Sequence, residues 1–381
     1  MSKQNKTVLF LFINGPHHVY HLILPALRFS ALKNEIETIF ISGNPLNTKI
    51  INDTKKITGL NNFTLIDIPL PLRYRIKNYR NRLYPPVYTR IKKVIKYLRN
   101  ANAIISTSHN FPEYLSKYEI KKPTLIYLYH GTGTRAYGFE SSLKEFDHIL
   151  IPGQYHKDRL IKSFPVKDGQ LEMVGVPKLD WMKIKKSKSQ RLFNNDNPIF
   201  YYNPHWEIEF SSYLKWKDVI LEFFKQKKFY NLIFSPHPLI QHLSKKTGYE
   251  LNEKNIVEDN ILVDLESDQC LDGTYTSMAD VYIGDISSMV TEWVMQKPRP
   301  CIFINAHNVN WKGNDDYYMW RFGKVVNELK EFEDAVKKST HHNDFEKIQK
   351  KLKNEFIYSS DKSSSDLCAR FIETKLSIPS K

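Results

Sequence analysis

Two histidines follow short apolar runs, one in each half of the chain. His130 comes after Leu125–Tyr129 and opens the segment Gly131-Thr132-Gly133-Thr134-Arg135. His237 comes after Leu232–Phe234, between the prolines of Ser235-Pro236-His237-Pro238. A histidine near neutral pKa can take a proton from an attacking hydroxyl, and an imidazole N–H can steady a developing negative charge. A third stretch, Gly284-Asp285-Ile286-Ser287-Ser288, follows Val281–Ile283 and leads into Met289, Val290, Trp293 and Val294 at helical spacing. Asp285 or Ser287 can cap that helix, and the backbone N–H groups of such a start attract phosphate. Each stretch also has a plain structural reading: a tight turn, a satisfied buried histidine, a cap with no ligand. Together they have the makings of a site that handles a diphosphate.

Several neighbours extend this constellation. Gly131 and Gly133 permit close backbone approach to a ligand, and Arg135 can pair with a phosphate bidentately. Asn203-Pro204-His205-Trp206, after Ile199–Tyr202, is either a wall of a nucleotide pocket or a turn with a packed Trp. Gly15-Pro16-His17-His18 follows the first apolar run and can line the acceptor side; it lacks the GxGxxG spacing of a dinucleotide fingerprint. His130 and His237 are thus the catalytic candidates. Gly131, Arg135, Asn203, His205, Ser235, Asp285, Ser287, Ser288 and Glu292 are donor-binding candidates, and His17 and His18 acceptor-side ones.

These residues need strands to carry them. Short apolar runs alternate with helix-like segments, the pattern of βαβ units and largely parallel sheets. Strands are expected at Val8–Ile13, Glu37–Ser42, Thr64–Ile68, Ala103–Thr107, Thr124–Tyr129 and His148–Pro152. In the second half they are expected at Pro198–Tyr202, Asn231–Ser235, Ile261–Asp264, Val281–Gly284 and Cys301–Asn305. Helices are expected at Tyr20–Lys33, Ser212–Lys227, Ser287–Gln296, Val325–Lys338, Asp344–Phe356 and Ser363–Leu376. The three stretches then fall at the carboxyl ends of strands, where open α/β sheets bind ligands. The polar stretch 183–197 reads as a linker between an N-terminal lobe, 1–182, and a C-terminal, donor-binding lobe, 198–381.

Composition sets the bounds. A chain of 381 residues is long for one core, which favours two domains. A net charge of +15 calls for an anionic partner: nucleotide, polyphosphate, nucleic acid or acidic lipid. Three scattered cysteines, Cys270, Cys301 and Cys368, fit a reducing setting and give no zinc or disulfide framework. No secretory or membrane-spanning run is apparent: the first apolar stretch breaks at Asn14-Gly15-Pro16. No convergent carboxylate cluster stands out, so no protein-bound metal is expected.

The order of these elements resembles that of the CDP-glycerol glycerophosphotransferase family, the teichoic-acid primases and polymerases. The resemblance rests on Tyr129-His130-Gly131-Thr132, Gly175-Val176-Pro177, Tyr202-Asn203-Pro204-His205-Trp206 and Ser235-Pro236-His237-Pro238. It continues through Ala279-Asp280 to Asp285-Ile286-Ser287-Ser288, the ending Gln296-Lys297-Pro298 and Asp361-Lys362-Ser363-Ser364-Ser365, and so covers roughly residues 124–375. It implies a glycosyltransferase-B-like fold, two Rossmann-like lobes with parallel sheets facing a cleft. It also implies transfer of a phospho-alditol from a CDP-linked donor to a hydroxyl, with CMP leaving. His130 would match the base, His237 the histidine near the donor diphosphate, and Ser287 and Ser288 the phosphate binders. No cofactor is implied beyond the substrate nucleotide, a CDP-alditol. Thr132-Gly133-Thr134-Arg135 departs from the family's Thr-Pro-Leu-Lys, and Glu207 stands where a cation is expected, so glycerol, ribitol or another unit stays open.

Residues 72–100 hold ten Arg or Lys and no acidic residue, with tyrosines interleaved. Arg90, Lys92, Lys93, Lys96 and Arg99 alternate with Ile91, Val94, Ile95 and Leu98 at helical spacing. A solvated basic face and a nucleic-acid contact both fit this pattern. The reading taken is a membrane-facing amphipathic helix, because the expected acceptor is a lipid-linked saccharide or polymer. The expectation is therefore a cytoplasmic protein, peripheral on the inner face of the bacterial cell membrane, with no nucleic-acid partner. The alternatives are a nucleotide-sugar glycosyltransferase, a UDP-sugar 2-epimerase and a nucleic-acid-binding protein.

Overall fold

The computed structural model describes residues 6–32, 35–72, 76, 87–121, 123–134, 138–186, 191–237, 239–240, 257–265, 267–287 and 289–377. The chain divides into two compact units: Met1–Thr132, Tyr137–Trp181 and Asn354–Lys381 form one, and Gly133–Ala136 with Met182–Lys353 the other.

The first unit is built on a parallel sheet of β1 (Thr7–Phe12), β2 (Glu37–Ser42), β3 (Thr64–Asp67), β4 (Ala103–Ser106), β5 (Thr124–Leu128), β6 (His148–Ile151) and β7 (Leu171–Met173), in the order β3-β2-β1-β4-β5-β6-β7. Its central strands are apolar on both faces; Val8, Leu9, Phe10 and Ile104 are fully enclosed. That is the signature of a parallel sheet covered by helices on both sides. The helices are α1 (Pro16–Ser30), α2 (Pro45–Thr58), α3 (Tyr88–Asn100), α4 (Phe111–Lys117), α5 (Gln154–Ser163) and α6 (Pro177–Lys186).

The second unit repeats the plan with β8 (Ile199–Asn203), β9 (Asn231–Phe234), β10 (Val257–Glu258), β11 (Ile261–Val263), β12 (Val281–Gly284), β13 (Cys301–Ile304) and β14 (Lys324–Val326). The order is β10-β11-β9-β8-β12-β13-β14, parallel except for the short β10–β11 edge pair. Its helices are α7 (Tyr213–Gln226), α8 (Thr274–Met278), α9 (Met289–Gln296), α10 (Leu329–Ser339) and α11 (Glu346–Phe356).

The structure departs from the sequence expectations in several places. The segment 45–58, for which no helix was expected, is α2. Its ends carry the helix punctuation: Asn44 caps Leu46 N at 2.8 Å, Pro45 begins the helix, and Gly59 ends it at φ +72°. The helix expected at Val325–Lys338 starts only at Leu329, because Lys324–Val326 pairs in parallel with β13 instead. The expected linker 183–197 begins inside α6.

The C-terminal lobe was expected to run to residue 381, but residues 354–381 belong with the first unit. Helix α12 (Ser364–Ser377) packs on α1 and buries Cys368, Ile372 and Leu376, a stripe spaced by four. Its start is held by the Asp180 carboxylate, which accepts bonds from Ser365 N at 2.8 Å and Ser365 Oγ at 2.9 Å.

The basic segment differs as well. In α3 the apolar residues Ile91, Val94 and Leu98 are fully buried in the core of the first unit, leaving Lys92, Lys93, Lys96 and Arg99 exposed. Arg90 is buried at 2% exposure and donates to the Ile13 carbonyl. The apolar face of α3 is therefore not offered to a lipid surface. Burying each such side chain is worth about 1.5–3 kcal/mol, more than the ~1 kcal/mol an anionic surface gives per basic residue, so the stripe stays in the core. Residues 73–75 and 77–86 of that segment lie outside the described residues.

Candidate active site

In the first sheet the strand order reverses between β1 and β4, and in the second between β8 and β12. Such reversals leave a crevice at the carboxyl ends of the strands, where α/β sheets take their ligands. Both histidine clusters of this protein lie at such points.

In the first unit, the loop leaving β1 carries Asn14, and the first turn of α1 carries His17 and His18. Asn47 of α2 fixes that turn, its side-chain amide donating to Phe12 O at 2.8 Å and Asn14 O at 2.9 Å. Asn14 Nδ2 in turn donates to Thr107 Oγ1 at 3.0 Å, just past β4. His18 Nδ1 lies 3.0 Å from the same hydroxyl. His130, beyond β5, packs its ring against His18 with centroids 3.9 Å apart and planes tilted by 32°, and the His17 ring lies 4.3 Å from that of His18. The Tyr127 hydroxyl is 3.4 Å from His130 Nδ1. Gly131 follows at φ +148°, a conformation that favours glycine as the chain turns out of the strand.

The electrostatics follow from the packing. Burial, with the neighbouring His17 and His109, pushes His130 down to about 3, while a hydrogen bond to the Thr107 backbone opposes the shift. Burial and the surrounding imidazoles hold His18 well below its ordinary value, and burial and Lys178 do the same to His21, one turn along α1. At neutral pH these rings are uncharged, each with one N–H and one lone pair.

In the second unit the organising residue is Asp285, at the end of β12. It is fully buried, and its carboxylate accepts from His205 N at 2.8 Å, Ser212 N at 2.6 Å and Ser212 Oγ at 2.8 Å. Burial pushes its pKa up to about 7 against the pull of these donors. The loop after β8 is thereby tied to the end of β12. His237 N donates to Pro204 O at 3.1 Å, which ties in the loop after β9. The His205 and His237 rings lie 5.9 Å apart. Each Nδ1 accepts a backbone N–H two residues on, from Glu207 at 3.1 Å and Leu239 at 3.2 Å. The neutral rings therefore carry their protons on Nε2 and present hydrogen-bond donors.

Not every candidate reaches these clusters. Asp285 braces the site rather than facing a ligand. Ser235 is fully enclosed and its carbonyl accepts from Asn203 Nδ2 at 2.6 Å, so this pair also joins strand ends from within. Ser287 Oγ accepts from Met289 N at 3.2 Å, the capping alternative for the start of α9. Glu292 lies on α9, its carboxylate 3.5 Å from Thr276 Oγ1. Arg135 and Ser288 lie outside the described residues. Thr107, Asn14, Asn47, His21, Lys178 and Ser212 are not among the site candidates read from the sequence. Only His21 carried a local signal, four residues after His17. Among the described residues no group of His, Cys, Asp or Glu is arranged to hold a metal ion, and no helix is long and apolar enough to cross a membrane.

Among solved structures the chain is similar to the wall teichoic acid polymerase TagF, at 15% identity and a TM-score of 0.63 over 98% of this chain and 89% of that one. A His-to-Asn variant of TagF soaked with CDPG matches at a TM-score of 0.62. The UDP-GlcNAc 2-epimerase of Neisseria meningitidis, bound to UDP-GlcNAc, matches at 11% identity and a TM-score of 0.58 over 98% of this chain and 100% of that one. MnaA of S. aureus, bound to UDP, matches at 10% identity and a TM-score of 0.61 over 99% and 98%. At such identities the likeness establishes the fold, α/β with two parallel sheets and glycosyltransferase-B-like. No curated protein matches by sequence. The family model described as CDP-glycerol:poly(glycerophosphate) glycerophosphotransferase matches residues 75–374, which include both histidine strand ends. The chain belongs to that family of glycerophosphotransferases.

Proposed function

We propose that the protein transfers glycerol phosphate, or the closely similar ribitol phosphate, from a CDP-linked donor to a hydroxyl of a lipid-linked saccharide or polymer in teichoic-acid or capsule-type synthesis. The observation that carries this reading is the family match over residues 75–374. In the proposed step the acceptor oxygen attacks the β-phosphorus in line. The new P–O bond forms as the bond from β-phosphorus to the bridging oxygen breaks, and CMP leaves with that oxygen. His130 takes the acceptor proton. His205 and His237 donate from Nε2 to the diphosphate, where charge builds on the leaving nucleotide. Arg135 and Ser288 are assigned to the same anion by residue type. No cofactor is part of the reading.

A pKa of about 3 makes His130 a weak base in the empty protein. An arriving phosphate anion favours the imidazolium and moves that value toward the working range. The exposed Lys92, Lys93, Lys96 and Arg99 supply an electrostatic footing on anionic lipid at the inner face of the cell membrane.

The test is a donor comparison. CDP-glycerol, CDP-ribitol and UDP-GlcNAc are each added to the protein, and thermal stabilisation and nucleotide release are measured. Stabilisation and acceptor-dependent CMP release with a CDP-alditol are expected. Epimerisation of UDP-GlcNAc with no response to either CDP-alditol would overturn the reading.

A further inference from the structure

Thr107 was no candidate from the sequence, yet its hydroxyl is committed to two residues of the first cluster. It stands at the end of β4, only 1% exposed. Its hydroxyl has two partners at 3.0 Å, Asn14 Nδ2 and His18 Nδ1. An amide nitrogen can only donate, so Thr107 Oγ1 accepts from Asn14, and its one hydrogen is left to donate. Directed at His18 Nδ1, that hydrogen makes Nδ1 the acceptor and places the ring proton on Nε2.

We infer that Thr107 is a positioning residue that sets the proton state of His18, holding it as an Nε2–H donor against the ring of the proposed base, His130. The inference deepens the reading of His130 as the base and rests on it. A donor ring packed 3.9 Å from the proposed base suits an acceptor hydroxyl: His18 can hold its oxygen while His130 removes its proton. The arrangement is fixed before substrate arrives, because Asn14 holds the Thr107 hydroxyl and Asn47 holds the Asn14 turn. His18 does not have to choose a tautomer during the reaction.

The test compares Thr107→Val and Thr107→Ser with His130→Ala in acceptor-dependent CMP release from CDP-glycerol. Valine keeps the shape and loses the hydroxyl; serine keeps the hydroxyl. Thr107→Val is expected to lower kcat by about tenfold to a hundredfold, with KM for CDP-glycerol unchanged and Thr107→Ser restoring most of the rate. An inactive His130→Ala beside a fully active Thr107→Val overturns the inference and spares the reading of the base. A fully active His130→Ala overturns both.

A second measurement needs no catalytic variant. In the whole protein labelled with 15N-histidine, the His18 signals, assigned by their loss in His18→Gln, should show an unprotonated Nδ1 and a protonated Nε2. A proton on Nδ1 overturns the inference whatever the kinetics give.

Discussion

The two histidine clusters occupy matching places in their sheets and are held in opposite ways. In the second unit each imidazole is fixed from within its own loop, by the N–H two residues on, and Asp285 anchors the loop as a whole. In the first unit the imidazoles are fixed from outside. Thr107 comes from a strand that neighbours β1 in space, 89 residues from His18 in the chain, and Asn47 comes from a helix. The second arrangement yields two alike N–H donors, suited to holding an anion. The first packs rings with differing partners against each other, suited to moving a proton.

The largest expected effect breaks this comparison at its functional end. His130→Ala should lower kcat by roughly a hundredfold to ten-thousandfold, the usual worth of a positioned general base, while leaving stabilisation by CDP-glycerol intact. His237→Ala should lower kcat by about a hundredfold and weaken that stabilisation as well. Thermal shift with donor, read beside CMP release, separates the two. Equal loss of donor stabilisation in both variants would erase the division of labour.

The same contrast explains what could be read in advance. The second cluster was legible because its devices are local. Proline-flanked His237 and the run Asn203-Pro204-His205 are visible as strings, and the apolar runs before them are strands almost to the residue. The partners of His130 were not legible, because Thr107 gains its role only once β4 lies beside β1, and strand order is not written in periodicity. Asp285 misled for a related reason. An acidic residue before a helix reads as a cap facing a ligand, and only the fold shows Ser212 and His205 closing over it. Helix α2 was legible through Asn44, Pro45 and Gly59, and was missed because its apolar stripe is short: Ile50 and Ile51 are the only aliphatic residues it buries.

A stability experiment sharpens the comparison. Asp285→Ala leaves two backbone N–H groups and one hydroxyl without their acceptor in a buried place. Each such group costs about 1–3 kcal/mol, so a large fall in Tm is expected. Asp285→Asn keeps one carbonyl acceptor and should fall less. Thr107→Val leaves Asn14 Nδ2 without an acceptor and His18 Nδ1 without a donor, two groups rather than three, and should be milder than Asp285→Ala. A Tm loss in Thr107→Val exceeding that in Asp285→Ala would show that the first cluster, not the second, is the structural keystone.

Acid should then move the two clusters in opposite directions. His130 titrates lower in the folded protein, about 3, than its ordinary 6.5. Its contribution to stability is whole above pH 6.5 and is lost as pH falls toward 3. Asp285 is raised from 3.8 to about 7, so its contribution is whole below pH 3.8 and is lost as pH rises through 7. Between pH 7 and pH 5, amide exchange corrected for its intrinsic rate should therefore quicken around Thr107 and His130 and slow around His205 and Asp285. Parallel changes in both places would mean that one of the two shifts has the wrong sign.

The smallest effect concerns α3, whose two faces serve different ends. Arg90 points inward, donates to Ile13 O beside the Asn14 turn, and lies against Gly43, where an added Cβ would come within 2.6 Å of its Cδ. Lys92, Lys93, Lys96 and Arg99 point outward. Replacing these four by Gln should change folding stability by less than about 0.5 kcal/mol, since exposed charges contribute little. It should nonetheless reduce binding to vesicles containing anionic lipid, most visibly at low salt. Arg90→Met should do the reverse, lowering Tm and slowing turnover by loosening the turn that holds Asn14, with vesicle binding unchanged. Arg90 is thus one more outside brace on the first cluster, and a variant affecting vesicle binding alone would remove it from that role.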